Sequence, residues 1–184
     1  MINQPLTKAL VCITPGNFGY LETELPNVPE NYMLLKIKKI GICGADLHAF
    51  EGTQTFLNYP RILIHELAAE IVQTQSDSGF EVGEAVNISP YFYSCKCIAC
   101  RSGKPNCCAA INVCGGHVDG GMRQYLAVPT YSLIHDEGLS DNELALVEPL
   151  AIAAHGVRRT GVEKGEYVLV IGAGPIGLGT MEFA

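Results

Sequence analysis

Six of the eight cysteines fall between Cys95 and Cys114, and five of those are Cys95, Cys97, Cys100, Cys107 and Cys108. Isolated cysteines serve as small core hydrophobes, and Cys12 reads that way. The run Cys95-Lys96-Cys97-Ile98-Ala99-Cys100 is too short, too polar and too dense in thiols for that role. In a reducing compartment such spacing points to a metal rather than to bridges. A second set of groups is spread more widely. Gly41-Ile42-Cys43-Gly44-Ala45-Asp46-Leu47-His48 and Leu63-Ile64-His65-Glu66-Leu67 carry a thiol, two imidazoles and two carboxylates, and Glu148 follows much later. A catalytic zinc takes about three protein ligands and leaves one position open. Cys43 and His65 with Glu66 or Glu148 would make such a set. A third feature is Gly172-Ala173-Gly174-Pro175-Ile176-Gly177, a G-x-G-x-x-G run. Its first glycine permits a tight turn, its second lets backbone approach a pyrophosphate, and its third allows close helix–strand packing.

Elements must bring these groups together. Through the first two-thirds, short apolar runs are broken by turn residues about every 10 residues, which predicts many short strands and a small barrel or sandwich. The spacing predicts strands over Met33 to Ile40, Leu67 to Thr74, Ala85 to Ser89, Gln124 to Val128 and Ser132 to His135. From Ser140 the pattern changes. Ser140-Asp141-Asn142-Glu143 has the capping-box arrangement that starts a helix. Pro149 should end or kink that helix, because it lacks an N–H and crowds the preceding turn. A second helix is expected from Leu150 to Arg159, closed by Gly161 and Gly165. Glu166 to Ile171 is an apolar run suited to a strand buried on both faces. One such strand and one following helix cannot bury both faces alone, so the chain is expected to be a fragment or truncated product of a longer protein, the alternative being a swapped or oligomer-completed fold.

Composition removes several function classes. The 184 residues are 48% hydrophobic and 17% charged, which excludes a disordered or collagen-like chain. The net charge of −7, with no basic block, points away from nucleic acid. No apolar run approaches the roughly 20 residues needed to cross a bilayer. Met1 to Pro5 lacks a charged region followed by an apolar stretch, so no secretory signal is expected and a cytoplasmic location is.

Taken in chain order, these motifs resemble those of the zinc-dependent medium-chain alcohol and polyol dehydrogenases. The resemblance rests on Gly41 to His48, His65-Glu66, the cysteine-rich lobe, Asp119-Gly120-Gly121-Met122, Glu148-Pro149-Leu150-Ala151 and Gly172 to Gly177. The Glu-Pro-Leu-Ala segment is most similar to the polyol, sugar-acid and threonine dehydrogenase branch. The resemblance implies a mainly β fold: a GroES-like β barrel over residues 1–148, with a cysteine-rich lobe at about 90–115. Residues 149–184 would then begin a truncated Rossmann domain. It implies Cys43 and His65 on a catalytic zinc, Glu66 and Glu148 competing for the third place, Asp46 behind them, and His48 on a proton relay. Gly172, Gly174 and Gly177 would bind NAD or NADP; the acidic residue expected about 20 positions further on lies beyond Ala184.

Three residues depart from the family pattern. Ala45 stands where Ser or Thr is usual, removing the first hydroxyl of the relay. Ile64 replaces the glycine before His-Glu, and would crowd the loop or force a different backbone angle. In the lobe, the frame C-x2-C-x2-C-x7-C reads Ser94, Cys97, Cys100 and Cys108. A neutral hydroxyl is a poor zinc ligand beside thiolates. Either Cys95 swings in to complete a structural zinc site with Cys97, Cys100 and Cys108, with Cys107 as a further substitute, or the site is lost. Cys114 and His117 receive no role.

The function implied is NAD(P)-linked oxidation of a secondary alcohol in a small polyol or sugar acid, with zinc acidifying the alcohol. The complete enzyme would be a homo-oligomer free of nucleic acid and membrane, and the 184-residue chain alone would be inactive. Two alternatives remain beside it: a non-catalytic zinc-binding GroES-like domain from a truncated gene product, and a thiol sensor built on Cys95 and Cys97.

Overall fold

The computed structural model describes residues 6–75 and 77–184, so Met1 to Pro5 lie outside the described residues. Strands β1 (Thr7–Thr14) and β2 (Asn17–Thr23) form an antiparallel hairpin whose turn carries Gly16 at φ +74°. After them come β3 (Tyr32–Gly41), the short helix α1 (Gly44–Glu51), β4 (Glu66–Gln73) and β5 (Ala85–Ile88). A lobe then runs through β6 (Tyr91–Phe92), α2 (Ile98–Arg101) and β7 (Asn112–Val113). Strands β8 (Tyr125–Pro129) and β9 (Leu133–His135) complete an antiparallel five-stranded sheet in the order β8-β3-β4-β5-β9. Backbone hydrogen bonds from Leu10 to Met122 (2.8 Å), Gln124 to Lys8 (3.0 Å) and Cys12 to Arg61 (2.9 Å) lash the hairpin to the segments ahead of β8 and β4. Hairpin and sheet together make the mainly β, GroES-like fold expected here.

Side-chain alternation explains how β4 is buried on both faces. Leu67, Ala69 and Ile71 point into the main core with Met33, Leu35, Leu63, Val86, Ile88 and Val128. Ala68 points the other way, against Leu144 and Ala145 of helix α3 (Asp141–Thr160). The small methyl at Ala68 lets the helix approach the sheet. Asn87, buried on β5, clamps three elements together: its amide nitrogen donates to the Leu67 carbonyl of β4 and the Leu144 carbonyl of α3, both at 2.9 Å. Glu148 lies one helical turn beyond Leu144, so this clamp also fixes its position.

The capping box at Ser140 and Glu143 is present, and Gly161 closes α3 in the left-handed conformation. The expected break at Pro149 is absent, and one helix replaces the two read from sequence. Proline removes one intrahelical donor, but packing on either side of it holds the axis together. Leu144 and Ala145 rest on the sheet, while Leu150 and Ala153 meet Gly179 of helix α4 (Pro175–Phe183). The strand expected over Glu166 to Ile171 is also absent. Tyr167, Leu169 and Ile171 are 105%, 84% and 89% exposed, since no described strand lies alongside to form a ladder. Among the described residues, no helix is long and apolar enough to cross a membrane.

Candidate metal centre

Cys43 is the N-cap residue of α1, in extended backbone conformation. His65 and Glu66 enter β4 directly after Ile64, whose φ is +80°. The backbone thus takes the left-handed shape expected of the glycine usual there, although the side chain is isoleucine. That conformation costs a non-glycine residue about 1–3 kcal/mol. The neighbours over-determine it. Gly120, Gly121 and Met122 donate N–H bonds to the carbonyls of Ile62 (2.7 Å), Ile64 (2.9 Å) and Leu63 (3.1 Å). Gly115 lies so close that a Cβ on it would stand 2.8 Å from the Ile64 carbonyl oxygen. The Asp119 carboxylate accepts from the Ile62 N–H and from the Arg61 guanidinium, each at 3.2 Å. The Ile64 side chain is fully buried in the core, which offsets the strain.

Asp46 joins the two ligand-bearing loops. One carboxylate oxygen accepts the Cys43 N–H at 2.9 Å and the other accepts the Ile64 N–H at 3.1 Å. The result is that Cys43, His65 and Glu66 bring one donor atom each to within 4.8 Å of one another. Gly41 makes room for the third, since a Cβ on it would sit 2.9 Å from the Glu66 Cβ. Glu148 stands beside this triad rather than in it, with the Tyr91 hydroxyl donating to its Oε1 at 3.4 Å.

The electrostatics ask for a cation. Glu66 and Glu148 are only 7% and 8% exposed, and among the described residues neither is paired with Lys or Arg. Burial pushes both carboxyls above the usual carboxylate range. Hydrogen bonding to Cys43 raises the His65 imidazole despite burial, which works against it. Buried carboxylates without a partner are costly, and a divalent ion bound to the soft, borderline and hard donors of Cys, His and Glu would remove that cost. The donor set therefore fits zinc.

A cavity of about 180 Å³ opens on the triad, with His65 common to both. Ala45, Phe56 and Leu57 give it apolar walls, and Gln54 and His117 add polar groups. Sequence reasoning missed Gln54, Phe56 and His117, because they sit in loops with no periodicity. His117 accepts the Val113 N–H through Nδ1 at 3.1 Å. His48 faces outward on α1, with its Nδ1 3.2 Å from the Thr53 hydroxyl and 3.6 Å from Glu51. It is not among the cavity-lining residues.

In the lobe, Cys97, Cys100 and Cys108 bring their sulfurs together, again within 4.8 Å. The structure does not bring the fourth expected residue, Cys95, to them. It is exposed, at φ +58°, with its thiol directed to the Tyr93 carbonyl at 3.9 Å. Cys107 is exposed as well.

The glycine turn leads into α4, without the strand expected ahead of it. Gly172 takes φ +110°, and a Cβ on Gly177 would stand 2.8 Å from the Gly172 carbonyl carbon. Gly174 is the N-cap of α4, with Pro175 at the first helical position and open space where a Cβ would project.

The sheet thus carries a Cys-His-Glu triad and is followed by a helix and a glycine turn. Residues 29–137 match the "Alcohol dehydrogenase GroES-like domain" family, and the chain belongs to it. L-galactonate-5-dehydrogenase of Escherichia coli K12 is 44% identical over 176 residues, covering 95% of this chain and 52% of that protein. Sorbitol dehydrogenase of Halalkalibacterium halodurans is 36% identical, covering 89% and 48%. The crystal structure of a short chain alcohol dehydrogenase, RspB, from E. coli CFT073 with cofactor NADH matches at a TM-score of 0.86 and 34% identity. It covers 95% of this chain and 51% of that one. The chain spans about half the length of the curated relatives it matches.

Proposed function

We propose that this chain carries the metal-binding and alcohol-binding half of a zinc-dependent, NAD(P)-linked oxidoreductase that oxidises a secondary alcohol in a polyol or sugar acid. The carrying observation is the convergence of Cys43, His65 and Glu66 on one buried point at the end of a cavity. The similarity to an L-galactonate and a sorbitol dehydrogenase supports the substrate class. Residues 1–148 form the catalytic unit in this reading, and residues 149–184 open a Rossmann unit.

Cys43, His65 and Glu66 hold the ion, and Glu148 stands by as a further carboxylate oriented by Tyr91. Zinc held there supplies Lewis acidity that lowers the pKa of an alcohol, and a nicotinamide supplies the hydride acceptor. Asp46 keeps the thiolate and imidazole loops in register, so the ligand atoms are placed before anything binds. Ala45 and Leu57 give the cavity an apolar wall, while Gln54 and His117 offer hydrogen bonds to the hydroxyls of a polyol. Ala45 supplies no hydroxyl, so a proton leaving the cavity crosses to His48 through water, and from the exposed His48 ring it passes to solvent. Gly172, Gly174 and Gly177 cradle the cofactor pyrophosphate at the start of α4. The complete enzyme works in the cytoplasm as a homo-oligomer.

Two measurements test this reading. Zinc titration of the chain and of Cys43→Ser should show one tight equivalent lost in the variant; an unchanged stoichiometry and affinity would overturn the metal centre. The chain, produced in one polypeptide with a complete nucleotide-binding half and loaded with zinc, should reduce NAD or NADP with a polyol or sugar acid such as L-galactonate. No turnover across a broad polyol panel, with zinc content verified, would overturn the oxidoreductase reading.

A further inference from the structure

We infer that a second cavity, walled by the loop ahead of β3, the β8 edge and the short strands β6 and β7, binds a small hydroxylated oxyanion, the carboxylate of a sugar acid or the phosphate of a sugar ester, through Arg123. The inference stands apart from the catalytic reading, since no residue lining this cavity belongs to the triad or lines the cavity that opens on it.

An uncompensated charge carries it. The cavity holds about 330 Å³, within the range of small-molecule sites. Asp119 and Arg123 are its only charged lining residues. The Asp119 carboxylate is already taken by the Arg61 guanidinium and the Ile62 N–H, at 3.2 Å each. Arg123 makes no ion pair among the described residues, and its Nε is buried there without a hydrogen-bond partner. The Arg61 Nε is enclosed in the same way, but the far end of that side chain has its carboxylate. Two guanidinium groups thus share the neighbourhood of one carboxylate, and one positive charge is left over. A guanidinium cannot shed its proton to escape burial. Burial pulls Arg123 below its ordinary value, and the opposing effect of Asp119 is the smaller one. A charge withdrawn from water without a partner is costly, and an oxyanion accepting two parallel N–H bonds removes that cost.

The rest of the cavity sets the ligand class. Arg123 is presented by a closed seam rather than a free loop: it bridges to Ala9 of β1, and the adjacent Gln124 side chain accepts the Lys8 N–H at 2.9 Å. Asn27, Tyr32 and Asn112 line the same space with two amides and a phenol, which both donate to and accept from hydroxyls. Phe92 adds apolar surface for a carbon skeleton. A cation would be repelled by Arg123, and an uncharged sugar would leave its charge uncompensated. A polyhydroxylated oxyanion satisfies both.

The test titrates the intact, zinc-loaded chain with inorganic phosphate and, separately, with gluconate at constant ionic strength, and follows backbone N–H signals by NMR. Those of Tyr32, Asn112 and Arg123 should shift saturably with one common affinity for at least one of the two probes. Arg123→Gln should weaken that affinity at least about tenfold. Arg123→Lys, which keeps the charge but loses the planar fork, should fall between the two. Tighter binding of gluconate assigns the sugar-acid ligand, and tighter binding of phosphate the phosphate ester. Shifts confined to Gln54, His65 and their neighbours, no saturable shift with either probe, or shifts at Tyr32 and Asn112 that persist at the same affinity in Arg123→Gln would overturn the inference. The shift map of the unmodified chain stands even if a variant fails to fold.

Discussion

Replacing Asp46 by asparagine tests whether the metal centre is held in shape by a single carboxylate. Asp46 is buried and accepts two backbone N–H bonds, one from each ligand-bearing loop. Asparagine has one acceptor oxygen, so its amide nitrogen must face one of those N–H groups. One bond is lost with a buried donor left over, costing about 1–3 kcal/mol, and the other falls from charge-assisted to neutral, costing about 1 kcal/mol more. A small relief opposes this, because Asp46 adds to the repulsion felt by Glu66; burial and Glu148 weigh more there. The net expectation is a loss of about 2–4 kcal/mol, which a domain stable by about 5–15 kcal/mol survives. Urea unfolding should show a lower midpoint at unchanged slope. Calorimetric titration should show zinc binding weakened about 10–100-fold, as for other residues that orient ligands from behind. Asp46→Ala, with no acceptor, should lose somewhat more stability. A stability change under about 0.5 kcal/mol, with unchanged zinc affinity, would refute the reasoning.

Further outcomes follow from other particulars of the structure. Gly41→Ala places a Cβ against Glu66, so it should cost about 1–3 kcal/mol and weaken zinc binding at the triad; unchanged stability and zinc affinity would contradict this. Hydrogen bonds from the Ser140 hydroxyl and N–H hold the Glu143 carboxyl below its ordinary range. Its folded pKa is thus lower than its unfolded one, so its stabilisation is present above the unfolded value and disappears as pH falls through the folded one. Melting temperatures of the native chain and Glu143→Gln should therefore differ at neutral pH and converge in acid, and a constant gap would count against the cap. In metal-free chain, backbone N–H groups of Cys100 and Ala109 bring Cys97 down to about 6, whereas burial drives Cys114 up to about 12. Cys97 should be alkylated fastest among the buried or half-buried thiols at neutral pH and Cys114 slowest; the reverse order would refute that assignment.

How much of this was legible in the sequence depended on what set each feature. Five strands of the main sheet were readable to within a residue or two, because glycine, proline and polar turns mark their ends. The ligands Cys43, His65 and Glu66 were readable by type, but their meeting depends on Asp46, whose role is visible only once both loops are placed. Helix α1 is eight residues long and lacks a clear apolar stripe, so periodicity could not reveal it. Local rules failed where tertiary contacts overrode them. Proline at 149 breaks a helix in isolation, yet here the helix is gripped on both sides of it. The apolar run at 166–171 suits a strand, but a strand exists only beside a partner. In the lobe the frame itself pointed to Ser94, while donor strength pointed to Cys95; the structure leaves the Cys95 side chain exposed, with its thiol toward the Tyr93 carbonyl and away from the other three sulfurs.

The left-handed isoleucine at 64 has a bearing on how such chains are found. A consensus that insists on glycine ahead of His65-Glu66 passes over this molecule, although its backbone bends there as glycine would. The bend belongs to the surrounding loops and is handed to whichever residue occupies the corner. Screens for related chains should weight the distant glycines at 115 and 120, which mould that corner, above the identity of the residue standing in it.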